Sequence, residues 1–339
     1  MKNTNIENIL TYLKELVHIP SPTGFTEQIG HYLESHAQKE GIRCRRTRKG
    51  AVVYSFGPKD ATSHRMLAAH VDTLGGMVKE VGTDDVHFVP IGGFPFLYTI
   101  GDYCQIHGRN GENIEGTILP VNPSVHVNKT LSETPLNESN VVIRPDFVPT
   151  EDDALSAHVQ VGDFVSFHPR FTRSQGFVKS RHLDDKASAA ILLDLADSLV
   201  GEVFETGIHI FFNVTEETGQ GIAGLPPIDD LLIIDMGVVG TGCQGSEHKV
   251  SICAKDSSGP YHHGFTQELV ALAQQSKIPH AVDIFPFYGS DGSAFLRAGN
   301  DARTALIGPG VGASHGYERT HETALKATAD LARLYLQSS

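Results

Sequence analysis

The sequence predicts an α/β fold, a mixed sheet covered by helices on both faces and interrupted by an inserted all-β, barrel-like domain. Three observations predict it. Apolar strand-like runs alternate with amphipathic helical segments at both ends of the chain, the helical period disappears between about residues 75 and 167, and 339 residues leave room for two such bodies. The composition, 40% hydrophobic and 20% charged with 34 Gly and 17 Pro, is that of a folded α/β protein and not of a disordered one.

Residues 5–18 carry Ile6, Ile9, Leu10, Leu13, Leu16 and Val17 at helical spacing, and the loop Ile19-Pro20-Ser21-Pro22-Thr23-Gly24 ends the pattern. A second helix is expected from near Thr26 to near Gly41. The basic run 43–49 reads as a solvated turn, followed by strands at 51–56 and 66–69, the second ending at His70. Between 75 and 167 the pieces GGMVKEV, VHFVPIGGF, DYCQIHG, GTILPV, NVVIRPDF and VGDFVSF are short, β-rich and separated by turns, which predicts a small barrel or sandwich. The α/β pattern then resumes with an apolar helix at 186–200, buried strands at 207–214 and 231–235, and a final helix at about 323–337.

The formal charge of −13 argues against nucleic-acid partners, whose phosphates need Lys and Arg. Cys44, Cys104, Cys243 and Cys253 have neither a C-x-x-C spacing nor a disulfide framework, which fits a reducing compartment. The N-terminal MKNTNIENILTYLKEL has an amphipathic helix pattern, and no apolar run reaches about 18 residues. The chain is therefore expected to be soluble and cytoplasmic, with no membrane partner.

The chemistry-bearing residues fall at the ends of these strands, where loops of an open α/β sheet converge on one crevice. His70 and Asp72 follow the strand MLAA at alternating positions, and Asp72 is the nearest carboxylate able to support the imidazole. Asp184-Asp185-Lys186 precedes a long apolar helix, where acids can complement the helix dipole or bridge two cations. Glu216-Glu217 closes the apolar strand IHIFFNVT, and burying adjacent like charges there calls for compensation by metal. One of the pair can then ligate while the other takes a proton from water. Asp235 ends LLIID, and the segment from Ser314 to His321 offers two histidines before the last helix.

Other catalytic signatures are missing, among them H-E-x-x-H, G-x-S-x-G and the phosphate-binding G-x-x-x-x-G-K-[ST]. Ser246-Glu247-His248-Lys249 matches S-x-x-K at chance level. The glycine-rich stretch 308–312 reads as a turn.

The ordered set AAHVD, RHLDDK, VTEETGQG, IIDMG and the terminal histidine segment, with the opening LVHIPSPTGFTEQI, resembles the tetrahedral and deblocking aminopeptidases. These are glutamyl aminopeptidase-like enzymes with a co-catalytic dinuclear metal centre, and some relatives carry an endoglucanase label. The resemblance implies a catalytic metallopeptidase domain at 1–74 and 168–339, a dimerisation barrel at 75–167, and assembly into dimers and even dodecamers. It implies removal of the N-terminal residue from short peptides by two divalent ions, zinc by default with cobalt or manganese as alternatives. Carried over by motif, His70, Asp184, Glu217 and Asp235 ligate, with Asp184 bridging through a cis peptide bond to Asp185, Glu216 is the general base, and Asp72 supports His70. The last ligand departs from the family's His followed four residues later by Glu: His315 has Glu318 at three, so His315 is expected to ligate and His321 is the alternate. Thr73 also replaces the family's acid after H-x-D. The competing readings are hydrolysis of a different amide or glycosidic bond, and a catalytically silent metal-binding scaffold.

Overall fold

Helix α1 (Ile6–Val17) starts where the Asn5 side chain accepts from the Asn8 N–H, and it buries Ile9, Leu10, Leu13, Leu16 and Val17. The computed structural model describes residues 3–224 and 227–338; Met1 and Lys2 of the N-terminal pattern, with Leu225, Pro226 and Ser339, lie outside the described residues. Helix α2 (Glu27–Glu40) ends at Gly41, whose φ of 70° is the left-handed conformation that glycine adopts without strain. Strands β1 (Arg43–Arg46), β2 (Val52–Phe56) and β3 (His64–His70) follow. The basic run expected as a turn is thus in part a strand: Arg43–Arg46 pairs antiparallel with β2 at the sheet edge, where long cationic side chains stay in solvent.

Next come β4 (Gly75–Val81), β5 (Val86–Ile91), β6 (Tyr103–His107), β7 (Asn113–Pro120), β8 (Val141–Pro145), the short helix α3 (Leu155–His158) and β9 (Phe164–Phe167). These six strands close into a barrel in the order β4-β5-β8-β7-β6-β9. Closure removes sheet edges, and alternating Val78, Val86, Phe88, Ile106, Ile118, Ile143 and Val165 fill an interior of its own, distinct from the main core.

The chain returns through β10 (Thr172–Ser174), β11 (Phe177–Ser180), α4 (Leu183–Leu199), β12 (Gly207–Asn213), β13 (Asp230–Ile234), β14 (Gly237–Val239) and β15 (Val250–Lys255). It finishes with α5 (His263–Gln275), β16 (His280–Ile284), α6 (Asp291–Arg297), β17 (Arg303–Gly312), β18 (Glu318–His321) and α7 (Glu322–Gln337). Among the described residues these form one mixed 12-stranded sheet along the path β1-β2-β12-β3-β13-β17-β18-β11-β10, with β14, β15 and β16 branching from β17. Helices α1, α4, α5 and α7 pack on one another, whereas α2 packs on β1 and β2, and α6 on β13 and β17. Helix α4 is buried almost all round, which explains its weak amphipathicity.

The four central strands β12, β3, β13 and β17 run parallel, so their carboxyl ends lie side by side. Asn213 of β12 sits opposite His70 of β3, and Ile234 of β13 opposite Ile307 of β17. The fold thereby gathers the loops after His70, Asn213 and Ile234 at one edge.

The glycine-rich stretch 308–312 is not the expected turn but the second half of β17. Its glycines serve close backbone approach: a Cβ on Gly308 would lie 1.4 Å from the Asp235 carbonyl oxygen, and one on Gly310 2.0 Å from that of Ser246. Gly308→Ala should therefore displace β13 where it carries Asp235. It is expected to destabilise the protein by at least about 2 kcal/mol in urea unfolding, as overpacking does; an unchanged midpoint would show that the contact is easily relieved.

Candidate metal centre

His70 is the last residue of β3, buried to 2% exposure. Its Nδ1 meets the Asp72 carbonyl at 3.0 Å, an acceptor only, so Nδ1 carries a proton and Nε2 is the nitrogen left to face the other groups. That nitrogen faces Asp184 Oδ1 at 3.1 Å and Glu216 Oε2 at 3.9 Å. His315, in the loop between β17 and β18, is set in the same way: Nδ1 donates to the Gly93 carbonyl, and Nε2 faces Asp184 Oδ2 at 3.5 Å and Glu217 Oε2 at 3.8 Å.

Asp184 stands between them, one oxygen toward each histidine. It reaches this position at the mouth of α4, where Asp184 and Asp185 have non-helical backbone angles and are joined by a cis peptide bond. The pair therefore lies outside the regular helix whose dipole the acids could have served.

Two buried carboxylates hold the loops that carry these groups. Asp72, fully buried, accepts the Glu216 N–H at 3.1 Å on one oxygen, and on the other the Glu217 N–H at 3.2 Å and the Thr23 hydroxyl at 2.6 Å. Its carboxylate lies 3.6 Å from His70 Nδ1, so it is the backbone carbonyl of Asp72 that orients the ring and the side chain that fixes the Glu216-Glu217 turn. Glu318, 2% exposed, accepts the Asp184 N–H and the His315 N–H, each at 3.1 Å, on its two oxygens.

Asp235 follows β13 and accepts its own neighbour's Met236 N–H at 2.6 Å. His70, Asp184 and Glu217 can each offer a donor atom within 4.8 Å of the others, and so can His70, Asp185 and Asp235. His321 lies elsewhere. It caps α7, accepting the Thr323 N–H on Nδ1, and its ring packs on His248 and Phe177 at 4.4 and 4.8 Å.

Electrostatics give the cluster a strong demand for positive charge. Burial and the Asp184 charge push the Glu217 carboxyl up to about 8 and Asp235 to about 7, and burial pushes Asp291 to about 6. Burial would likewise raise Asp184, but the His315 and His70 imidazoles beside it hold its carboxyl well below the usual range. Burial opposes protonation of His315, yet Asp184 pulls its pKa up to about 10. Among the described residues, Glu217 Oε1 is buried without a hydrogen-bond partner.

These features fit divalent metal. Donors about 2.0–2.1 Å from a tetrahedral ion lie roughly 3.3 Å apart, close to the His70–Asp184 and His315–Asp184 separations. Mixed imidazole and carboxylate donors suit zinc, cobalt or manganese, and an orphaned carboxylate oxygen in the interior wants a cation.

Comparison with known proteins agrees with this geometry. The profile of the M42 glutamyl aminopeptidase family matches residues 50–331. The chain belongs to that family. It is 44% identical over 99% of both chains to the protein described as "Putative aminopeptidase YhfE" from Bacillus subtilis (strain 168). Its fold superposes with a TM-score of 0.84 at 20% identity on the TET1 peptidase of Pyrococcus horikoshii, covering 96% of this chain and 98% of that one. That peptidase can assemble into a tetrahedron or a large octahedral shell. An endoglucanase from Thermotoga maritima shares the fold at TM-score 0.73 and 19% identity, covering 95% of this chain and 96% of that one. Membership in the M42 family makes the chain an aminopeptidase, a hydrolase of the metallopeptidase class, and implies divalent metal ions.

Sequence reasoning missed three residues of this M42 site: Glu318, Asp185 as a potential donor, and Asp291, which lines the same cavity and accepts from Asn213. Asp291 could have been noticed as an acid after a serine cap at a helix start; Glu318 had a signal in its spacing from His315, but its bonds to the Asp184 and His315 N–H groups gave it a role that spacing did not reveal.

Two outcomes are expected. Since Glu217, Asp235, Asp291, His70 and His315 all titrate higher in the folded protein, that state holds protons the unfolded chain releases. Their contribution is present below the unfolded pKa values and is lost as pH rises through the folded ones. Metal-free protein should accordingly melt at a lower temperature at pH 8 than at pH 6, and divalent metal, which displaces those protons, should abolish the fall. A metal-free Tm that rises over this interval would contradict the cluster's proton load. Separately, His315→Ala should bind less metal than His321→Ala by elemental analysis; the reverse order would exchange their roles.

Proposed function

We propose that the chain is a dinuclear metal aminopeptidase that removes the N-terminal residue from short peptides. The observation that carries this reading is the placement of Asp184, with its oxygens toward His70 Nε2 and His315 Nε2 at 3.1 and 3.5 Å. A carboxylate facing two imidazoles, each with its Nδ1 proton committed to a backbone carbonyl, has the arrangement of a bridge between two ions. His70 with Asp235 on one side, and His315 with Glu217 on the other, would complete the two shells. Two divalent ions, zinc by default with cobalt or manganese as alternatives, would supply Lewis acidity and water activation near neutral pH.

The remaining steps belong to the protein. Glu216 is the cavity-lining carboxylate adjacent to Glu217 that is left free, and it acts as general base, taking a proton from the attacking water and delivering it to the leaving amine nitrogen. Asp72 acts by positioning: with both oxygens on the Glu216 and Glu217 N–H groups, it keeps base and ligand in fixed register. The apolar wall of Met236, Val238, Phe285 and Tyr288 can receive the N-terminal side chain and shed water around the scissile bond.

The barrel at 75–167 is the body proposed to carry dimerisation, within a domain division of 1–74 and 168–339 against 75–167. The shells formed by the TET1 relative support self-association into dimers and higher assemblies. All four cysteines are free thiols, in keeping with a cytoplasmic setting, and among the described residues no helix is long and apolar enough to cross a membrane.

Glu216→Gln should keep the fold and metal content while lowering kcat by about 100- to 10,000-fold on aminoacyl p-nitroanilides, with EDTA abolishing wild-type turnover. Retention of more than a tenth of wild-type kcat would remove Glu216 from the mechanism. EDTA-resistant cleavage of β-glucan would favour the endoglucanase chemistry instead, because glycosidases work with paired carboxyl groups and no metal.

A further inference from the structure

Asp184, Glu216, Glu217, Asp235 and Asp291 are the carboxylates that line the cavity of about 670 Å3 at the strand ends. On the aminopeptidase reading above, on which this inference rests, the first four are occupied as ligands and base. Two divalent ions carry a charge equal and opposite to theirs together. Asp291 is left over.

Its side chain is nevertheless built into place. The residue is 3% exposed, Oδ1 accepts from Asn213 Nδ2 at 2.7 Å, and Oδ2 makes no hydrogen bond among the described residues. Ser290 and Ser293 form a capping box that holds the first turn of α6, while Asn213 belongs to β12, so the carboxylate is fixed from two elements. Its charge is felt at both His70 and Glu216, which puts it at the reacting end of the cavity. The one Arg or Lys among the lining residues, Arg297, donates to the Ser258 hydroxyl.

A buried carboxylate with one oxygen free of hydrogen bonds and no ion pair among the described residues, where Lys49 and His70 act on it only at a distance, can take a positive group, and an aminopeptidase substrate brings one. The α-ammonium sits on the carbon next to the scissile carbonyl, so it must arrive close to the attacking water. We propose that Asp291 is the anchor for the substrate's α-ammonium and thereby sets the requirement for a free N-terminus. An N-acylated peptide lacks that charge and leaves Asp291 desolvated and unpaired, so it is rejected.

The test compares two ligands of the metal-loaded protein by calorimetry: leucine hydroxamate and 4-methylpentanoyl hydroxamate, which differ only in the α-amino group. Wild-type protein is expected to bind the first about 10- to 100-fold more tightly, the range of a charge-assisted hydrogen bond. Asp291→Asn, which can still accept from Asn213, should erase that preference while keeping metal content and affinity for the des-amino ligand. Equal binding of both ligands to the wild type overturns the proposal whether or not any variant folds. So does an Asp291→Asn protein that keeps the preference, or one that loses metal, since Asp291 would then serve the ligands. Wild-type protein inactive on every aminoacyl p-nitroanilide would sink the aminopeptidase reading itself, and the calorimetric difference remains a separate readout.

Discussion

Mutual repulsion among buried carboxylates is the constraint on which the rest of this structure depends. Asp184, Asp185, Asp235 and Glu318 are each less than a tenth exposed, and Glu217 and Glu216 lie among them. Left alone such a cluster would take up protons or open to water. It stays closed because parallel strands, each satisfied in its backbone by its neighbours, deliver these residues to one edge, and because imidazoles and divalent ions can neutralise them there.

The cluster is also organised by the carboxylates that do not face the cavity. Asp72 and Glu318 perform the same task at opposite sides, each gathering two backbone N–H groups from residues that must act together. Glu216 and Glu217 are neighbours in sequence, so Asp72 fixes a turn. Asp184 and His315 are 131 positions apart, and Glu318 joins the two loops at the point where β11 and β18, paired with Ser180 opposite Glu318, bring them side by side. One buried carboxyl group that accepts two N–H bonds ties two segments at a single point, which suits groups that must hold a geometry to tenths of an ångström.

Most of the site was legible in the sequence because its residues interrupt apolar strands. His70, Glu216, Glu217 and Asp235 each end a run that otherwise belongs in a core, and polar groups at such places stand out by position. The α/β class and the barrel-forming strands were legible because the helical period stops at Gly75 and resumes after Phe167, and the M42 membership because the motifs around His70, Asp184, Glu216 and Asp235 come in a set order. What escaped depended on backbone contacts. Gly308 and Gly310 look like turn residues by composition but are strand residues pressed against the Asp235 and Ser246 carbonyls. Arg43–Arg46 looks like a solvated turn because an edge strand carries no buried face to mark it. Glu318 stands at a noted spacing from His315, but its bond to the Asp184 N–H, like that of Asp291 to the Asn213 amide, joins distant segments that spacing does not encode.

The short segment after β5 has a wider consequence. Gly93 belongs to the stretch of chain that forms the barrel, yet its carbonyl sets the proton of the His315 ring, and a side chain on Gly92 would begin within van der Waals distance of Glu217. The rest of the barrel can vary in sequence, but this one loop is answerable to the His315 ring. A shift of the barrel by an ångström would break the contact that orients this ring. The position of the barrel and the setting of the His315 ring are therefore mechanically linked through a single peptide carbonyl, and a displaced barrel would be felt first at that imidazole.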